Sequence, residues 1–416
     1  MTYRVQLSNG VRIIGEEISS VRSVSIGIWV ATGSRHETVR NNGISHFIEH
    51  MLFKGTDSLS ARELAQVFDS LGGQVNAFTS KEYTCYYAKV LDEHFGTALG
   101  TLGDMLFHSQ FAPEEIEKEK KVVIEEIRMY EDTPDELVMD ILSEGIYSNH
   151  PLGYTVLGKE ENLRSFTRAD IEQYLQQRYT PGNIVIAVAG NIPQEKAVAQ
   201  IEKLFGHSFP AAAAQEERRL KAPDFSRVVS LREKDIEQVH ICLASPGYPV
   251  GDKRLYAMIL LNNALGNAPS SRLFQEIREE RGLAYSVFSF HSAYQDCGMF
   301  GVYAGTSPEY AEDVMKLTYD ICDDVAGHGL TDDELEKGKE QVKGSLVLSL
   351  ESTSSRMSRL GKNELLLQRD VTLDETLAEI NAVTAQDVSR VAAEILGQQF
   401  AVAAVGPISG LTLQRR

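Results

Sequence analysis

A chain of 416 residues with 43% hydrophobic and 24% charged residues has the composition of a soluble globular protein of two ordinary domains, not of a disordered or fibrous one. Its net charge of −18 disfavours nucleic acid and anionic membranes as partners, and no run of about 18 apolar residues is present to span a bilayer. The four cysteines (Cys85, Cys242, Cys297, Cys322) form no C-x-x-C pair, and the N-terminus lacks the basic start and apolar core of a signal peptide. A reducing, cytoplasmic compartment is therefore expected.

In chain order, YRVQLS, Asn9-Gly10 and VRIIGEE read as a β-hairpin with a type I′ turn. Residues 22–31 alternate Val24, Ile26, Ile28 and Val30, the pattern of a strand with one buried face. A helix is expected at about 41–53, and it carries His46-Phe47-Ile48-Glu49-His50. Residues four apart share a helix face, so both imidazoles point to one spot with Glu49 beside them. Two neutral imidazoles and a neighbouring carboxylate can hold a divalent zinc and prepare a water for attack. The order H-x-x-E-H inverts the commoner zinc-protease helix H-E-x-x-H. Taken alone, it also fits a pair of surface histidines beside a glutamate, and a third ligand is needed.

Ser60 to Glu63 forms a capping box for a helix to about Leu71, stopped by Gly72-Gly73. QVNAFTS and EYTCYYAKV then read as adjacent strands, followed by a helix at about 94–109. Pro113 suits the first turn of a longer helix to about 132, whose many carboxylates form a solvated face with pairs such as Glu117–Lys121. Glu119 and Glu126 lie two turns apart on one face, and Val122, Val123 and Ile127 would dock that helix inward. An inward carboxylate there is costly unless paired or metal-bound. Position alone does not choose between the two.

A capped helix at Thr167 followed by the strand NIVIAVAGNI recurs as Thr384 followed by FAVAAVGPI. The threonines are 217 residues apart, and Gly190 and Gly406 are 216 apart. SVSIGIWVATG has a looser echo in QVHICLASPG. Recurrence at half the chain length implies two similar domains from an internal duplication. The expected division is 1–206, a Pro/Ala-rich charged linker at 207–225, and 226–416. Shifting the histidine motif by the repeat lands in LNNALGNAPSS, which has no His or Glu, so any metal site belongs to the first half.

GISHFIEHMLFKGT, GGQVNAFTSKEYTCYY, EKEKKVVIEEI, HPLGYTVLG and SSRLFQEIREERGLAYSV together resemble the M16 (pitrilysin-type) metallopeptidases, over nearly the whole chain. The likeness is to the short two-domain branch of processing peptidases. It implies an α+β fold, each domain a mostly antiparallel sheet with helices on one face. It further implies a zinc endopeptidase acting on short or unfolded, extended peptides, and a homodimer closing into a chamber. The family's third ligand, 76 residues after the second histidine, falls on Glu126, joining His46 and His50. Glu49 becomes the general base, and Glu119 the supporting glutamate. Asn76 and Ala77 fall on the edge strand that pairs with substrate, and Arg278 and Tyr285 on residues that bind substrate and stabilise the oxyanion. For these four, an ordinary strand, a core tyrosine and a surface arginine are the competing readings. Some relatives keep the fold without cleavage, so a non-catalytic structural or peptide-binding subunit is the alternative.

Overall fold

The fold is given by a computed structural model that describes residues 2–209 and 221–412. The first half of the chain contributes β1 (Thr2–Gln6), β2 (Arg12–Glu17), β3 (Ser23–Val30), α1 (Ile44–Met51), α2 (Ala61–Ser70), β4 (Gln74–Thr79), β5 (Thr84–Leu91), α3 (Phe95–His108), α4 (Pro113–Glu131), α5 (Pro134–Ile146), α6 (Glu160–Ser165), α7 (Arg168–Arg178), β6 (Ile184–Gly190) and α8 (Gln194–Phe205). The second contributes β7 (Val229–Glu233), β8 (Val239–Gly247), α9 (Leu255–Asn262), β9 (Ala284–Ala293), β10 (Gly298–Thr306), α10 (Ala311–His328), α11 (Asp332–Ser349), α12 (Thr353–Leu367), α13 (Leu373–Ala382), α14 (Ala385–Leu396) and β11 (Ala401–Gly406).

The strands form two sheets, ordered β1-β2-β6-β3-β5-β4 and β7-β11-β8-β10-β9. Apart from β1 the two orders correspond strand for strand. Each has one parallel pair, β2 with β6 and β7 with β11, among antiparallel neighbours. This is an α+β fold of two similar domains, as the repeat implies. The paired threonines both cap their helices through complete capping boxes. The paired glycines both hold positive φ, 143° at Gly190 and 137° at Gly406. A Cβ there would lie 2.3 Å from the carbonyl oxygen of Ser23 and 2.4 Å from that of Gln238. The same backbone constraint therefore recurs at the same point of each sheet.

The compact units do not coincide with the two sequence halves. One comprises residues 1–128, 154–220 and 349–370, and the other 129–153, 221–348 and 371–416. Relative to the expected boundaries, each half lends one segment to the other unit. Residues 210–220 of the expected linker lie outside the described residues.

In the first unit, α12 lies on the sheet face opposite α1. Met357, Leu360 and Leu365 pack there with Ile14, Trp29, Val185 and Ala187. Arg4 and Arg12 both pair with the fully buried Glu364 to hold the helix down. In the second unit, Leu137, Val138, Leu142 and Ile146 of α5 cover Cys242, Ala244, Ala401 and Ala403 in the same way. The expectation of helices on one face is thus corrected: both faces are covered, the second by one helix from the other half of the chain. This is why β3 is buried on both sides rather than alternately.

Three local expectations also shift. Leu7 N donates to the Val11 carbonyl, so the first hairpin closes with residues 8–10 rather than Asn9-Gly10 alone. Val122 on α4 is 50% exposed; Val123 faces inward as expected, with Ile127 partly buried against the core, and Ile116 and Ile124 complete the inward stripe in place of Val122. Glu117 receives Lys120 Nζ at 2.7 Å, one residue before the expected partner. Among the described residues no helix is long and apolar enough to cross a membrane.

Candidate metal centre

Helix α1 has eight residues and is preceded by Gly43 as its capping residue, whose φ of 99° is left-handed. A Cβ at that position would lie 2.8 Å from the Leu157 carbonyl oxygen, so a side chain is excluded on both counts. Ile44, Phe47, Ile48 and Met51 turn into the core, which leaves the helix rotation no choice. The remaining face carries His46, Glu49 and His50. The two imidazole rings meet edge-on with centroids 4.6 Å apart.

Helix α4 brings a carboxylate to the same point. Glu126 Oε2 lies 3.7 Å from His46 Nε2 and 3.5 Å from His50 Nε2. One ligand atom from each of these three residues lies within 4.8 Å of the others. Donors about 2.1 Å from a four-coordinate divalent ion sit roughly 3.4 Å from one another, and the two histidine–glutamate distances lie close to that spacing. Burial together with the nearby Glu119 raises the Glu126 pKa despite the opposing influence of His50.

Two hydrogen bonds orient this set. Glu119, 4% exposed on α4, accepts from His50 Nδ1 at 2.8 Å and receives Lys54 Nζ at 2.6 Å. The bond fixes the His50 ring and leaves Nε2 to face Glu126. Burial, the largest single influence on His50, disfavours its charge. Glu119, Glu126 and Glu49 together outweigh it and raise the pKa. His46 stands in contrast: burial, reinforced by His50, pushes its pKa down to about 3, so this imidazole is neutral and ready to donate a lone pair. Its Nδ1 is buried and has no hydrogen-bond partner among the described residues.

Glu49 lies on the same helix, and its Oε2 accepts from Thr79 Oγ1 at 2.5 Å. Burial raises its pKa, and the Thr79 bond opposes the rise. A cavity of about 410 Å³ opens beside it, walled by Phe53, Leu64, Phe68 and Val75 and with Lys54 and Asn76 at its polar parts. Strand β4 ends its sheet, so its outer edge is unpaired among the described residues.

Two family models match the chain in tandem: Insulinase (Peptidase family M16) over residues 12–160, and Peptidase M16 inactive domain over residues 165–342. A protein of Bacillus subtilis (strain 168) named "Uncharacterized zinc protease YmxG" is 52% identical over 407 residues, which is 98% of each chain. The chain belongs to peptidase family M16. A probable mitochondrial-processing peptidase subunit beta of Arabidopsis thaliana is a further relative, 34% identical over 97% of this chain and 78% of its own length. A protease from Helicobacter pylori superposes with a TM-score of 0.91 at 23% identity, covering 98% of this chain and 99% of that one, a likeness of fold.

The remaining expected residues of this M16 chain sit as follows. Asn76 and Ala77 lie on β4, and the Ala77 N–H is taken by Asn76 Oδ1 at 2.8 Å. Arg278 and Tyr285 lie in the second unit and meet there: the guanidinium stacks 4.6 Å from the Tyr285 ring and 4.7 Å from that of Phe274. Tyr285 is 78% exposed, so it is not a core tyrosine. The sequence reading missed Lys54 and Thr79. Lys54 follows His50 by four residues, a spacing that offered a signal; Thr79 is 30 residues from Glu49 and offered none.

Proposed function

We propose that this M16 chain is a zinc-dependent endopeptidase that hydrolyses peptide bonds in short or unfolded peptides. The observation that carries the proposal is the convergence of His46, His50 and Glu126 on one point, with Glu49 alongside and an open strand edge next to the cavity. In this reading His46 Nε2, His50 Nε2 and the Glu126 carboxylate hold zinc, the metal in the name of the Bacillus subtilis relative. When bound, zinc supplies Lewis acidity that acidifies water and polarises a peptide carbonyl.

The protein's own groups do the rest. Glu49 Oε2 is engaged by Thr79, so Oε1 takes the proton from the attacking water and delivers it to the departing amide nitrogen as the C–N bond breaks. Its raised pKa suits both halves of that transfer. Glu119 keeps the His50 ring in place and neutralises Lys54. An extended substrate adds to the edge of β4 through backbone hydrogen bonds near Asn76 and Ala77, with a side chain in the apolar cavity. Arg278 and Tyr285 are proposed to bind substrate and stabilise the oxyanion, and the chain to act as a homodimer that closes a chamber around unfolded peptides. A reducing, cytoplasmic setting is proposed with it, in keeping with four cysteines that form no C-x-x-C pair in the sequence.

The test is cleavage of a quenched peptide by zinc-loaded protein, with and without a chelator, beside Glu49→Gln. The expected result is cleavage that the chelator abolishes and Glu49→Gln lacks. Absence of chelator-sensitive cleavage would leave the non-catalytic subunit as the reading.

A further inference from the structure

Helix α1 is tied down at its N-terminus by a residue that lies outside the metal set. Glu37 is 3% exposed, and its carboxylate accepts three hydrogen bonds from the start of the helix. Oε2 receives Gly43 N at 2.8 Å and Asn42 Nδ2 at 2.9 Å, and Oε1 receives Ser45 N at 2.9 Å. The first N–H groups of a helix have no partner within it, and a carboxylate there satisfies them and meets the positive end of the helix dipole. Helix α1 has no side-chain cap of its own, so Glu37 supplies it from six residues before Gly43. A second tie starts from the same turn: Ser45 Oγ meets Tyr174 OH at 2.8 Å, and Tyr174 OH meets Thr32 Oγ1 at 2.8 Å.

These ties matter because His46 follows Ser45 directly. An eight-residue helix has too few internal hydrogen bonds to hold itself, and its position comes from what grips it. Among the described residues His46 Nδ1 also lacks a partner such as His50 Nδ1 has in Glu119. Its Nε2 stays 3.7 Å from Glu126 only while the first turn of α1 keeps its place. Metal sets lose affinity when a donor shifts by more than about 0.5 Å.

We propose that Glu37 is a positioning residue of the metal centre, whose carboxylate fixes the first turn of α1 and thereby places His46. The inference rests on the zinc reading above. A buried carboxylate that merely stabilises the unit is the alternative, and the unit contains a matched control in Glu364, also fully buried and held by Arg4 and Arg12.

The experiment uses the full chain as Glu37→Gln, Glu37→Asp and Glu364→Gln beside the wild type. It measures Zn2+ affinity by competition with a chromogenic chelator, the visible absorption of the Co2+-loaded proteins, and the melting of the metal-free forms. Glu37→Gln keeps the shape of the side chain but turns one acceptor into a donor facing an N–H. It is expected to weaken Zn2+ binding by about tenfold or more and to change the Co2+ spectrum. Glu364→Gln is expected to lower the melting temperature with affinity and spectrum unchanged. Wild-type affinity and spectrum in Glu37→Gln overturn the inference, as does an equal loss of affinity in Glu364→Gln. Should Glu37→Gln fail to fold, Glu37→Asp decides, since it keeps the charge but withdraws the carboxylate from the start of the helix: weakened Zn2+ binding in the folded variant supports the inference, and unchanged binding overturns it. A wild type that binds neither ion removes the zinc reading and this inference together, whereas a binding wild type matched by Glu37→Gln removes this inference alone.

Discussion

Thr79 Oγ1 donates to Glu49 Oε2 at 2.5 Å, so the last residue of the edge strand holds the carboxylate proposed as the base. The bond leaves one oxygen free and restrains the increase in Glu49 pKa that burial causes. Thr79→Val removes the donor at nearly constant shape. It is expected to lower kcat by roughly tenfold, a fraction of the roughly 10²–10⁴-fold that a positioned base supplies. Without the bond Glu49 takes up its proton at higher pH, so the acid limb of the kcat/KM profile moves upward. A profile that superimposes on the wild type would show that Thr79 does not act on Glu49.

The chain Lys54–Glu119–His50 makes a separate prediction about metal affinity. Glu119 is nearly buried and takes one partner on each oxygen. Glu119→Gln is expected to weaken Zn2+ binding by about 10- to 100-fold, and Lys54→Met by less, because the metal-facing bond survives in the latter. Chelator competition on the two variants reads this order. The reverse order would move the main role from Glu119 to Lys54.

Acid stability in the second unit is expected to depend on Glu334. Two hydrogen bonds from Arg272, at 2.8 Å each, are the largest cause that pushes its pKa down to about 2 from an ordinary 4.5. The folded value lies below the unfolded one, so the stabilisation is complete above about pH 4.5 and is lost as pH falls toward 2. Glu334→Gln is expected to cost roughly 1–2 kcal/mol at neutral pH, allowing for partial exposure, with the gap closing in acid. Urea unfolding of both proteins across pH checks this; a gap that does not narrow would assign the cost to packing.

Tyr285 is 78% exposed and stacks on Arg278, so Tyr285→Phe should leave melting and zinc content unchanged. If it stabilises the oxyanion, kcat falls by about 100-fold. Mixing Glu49→Gln chains with Tyr285→Phe chains tests the homodimer at the same time. Partial recovery of activity in verified heterodimers is the outcome of a site shared between chains. None is expected if each chain works alone.

The residues of the centre differ in how far the sequence revealed them. His46, Glu49 and His50 were legible because helical periodicity is local, and four residues always return to one face. Glu126 and Glu119 shared a face by spacing, but only the family resemblance told them apart. The duplication was legible too, since Thr167, Thr384, Gly190 and Gly406 occupy positions where capping and positive φ restrict the residue type. Glu37 and Thr79 were not, because their partners lie across loops and strands and no periodicity links them.

By itself, then, the sequence determined the helix that carries the two histidines and the two-fold repeat of the chain, and it pointed to the first half for the candidate metal set. The tertiary structure decided the rest. It put α12 and α5 on the sheets of the opposite halves, turned Val122 outward, and aimed Glu37, Thr79 and Lys54 at the elements they hold. Local pattern sets which face of an element is apolar. Which partner covers that face, and which polar group reaches which orphaned N–H, follow from packing between residues distant in the chain.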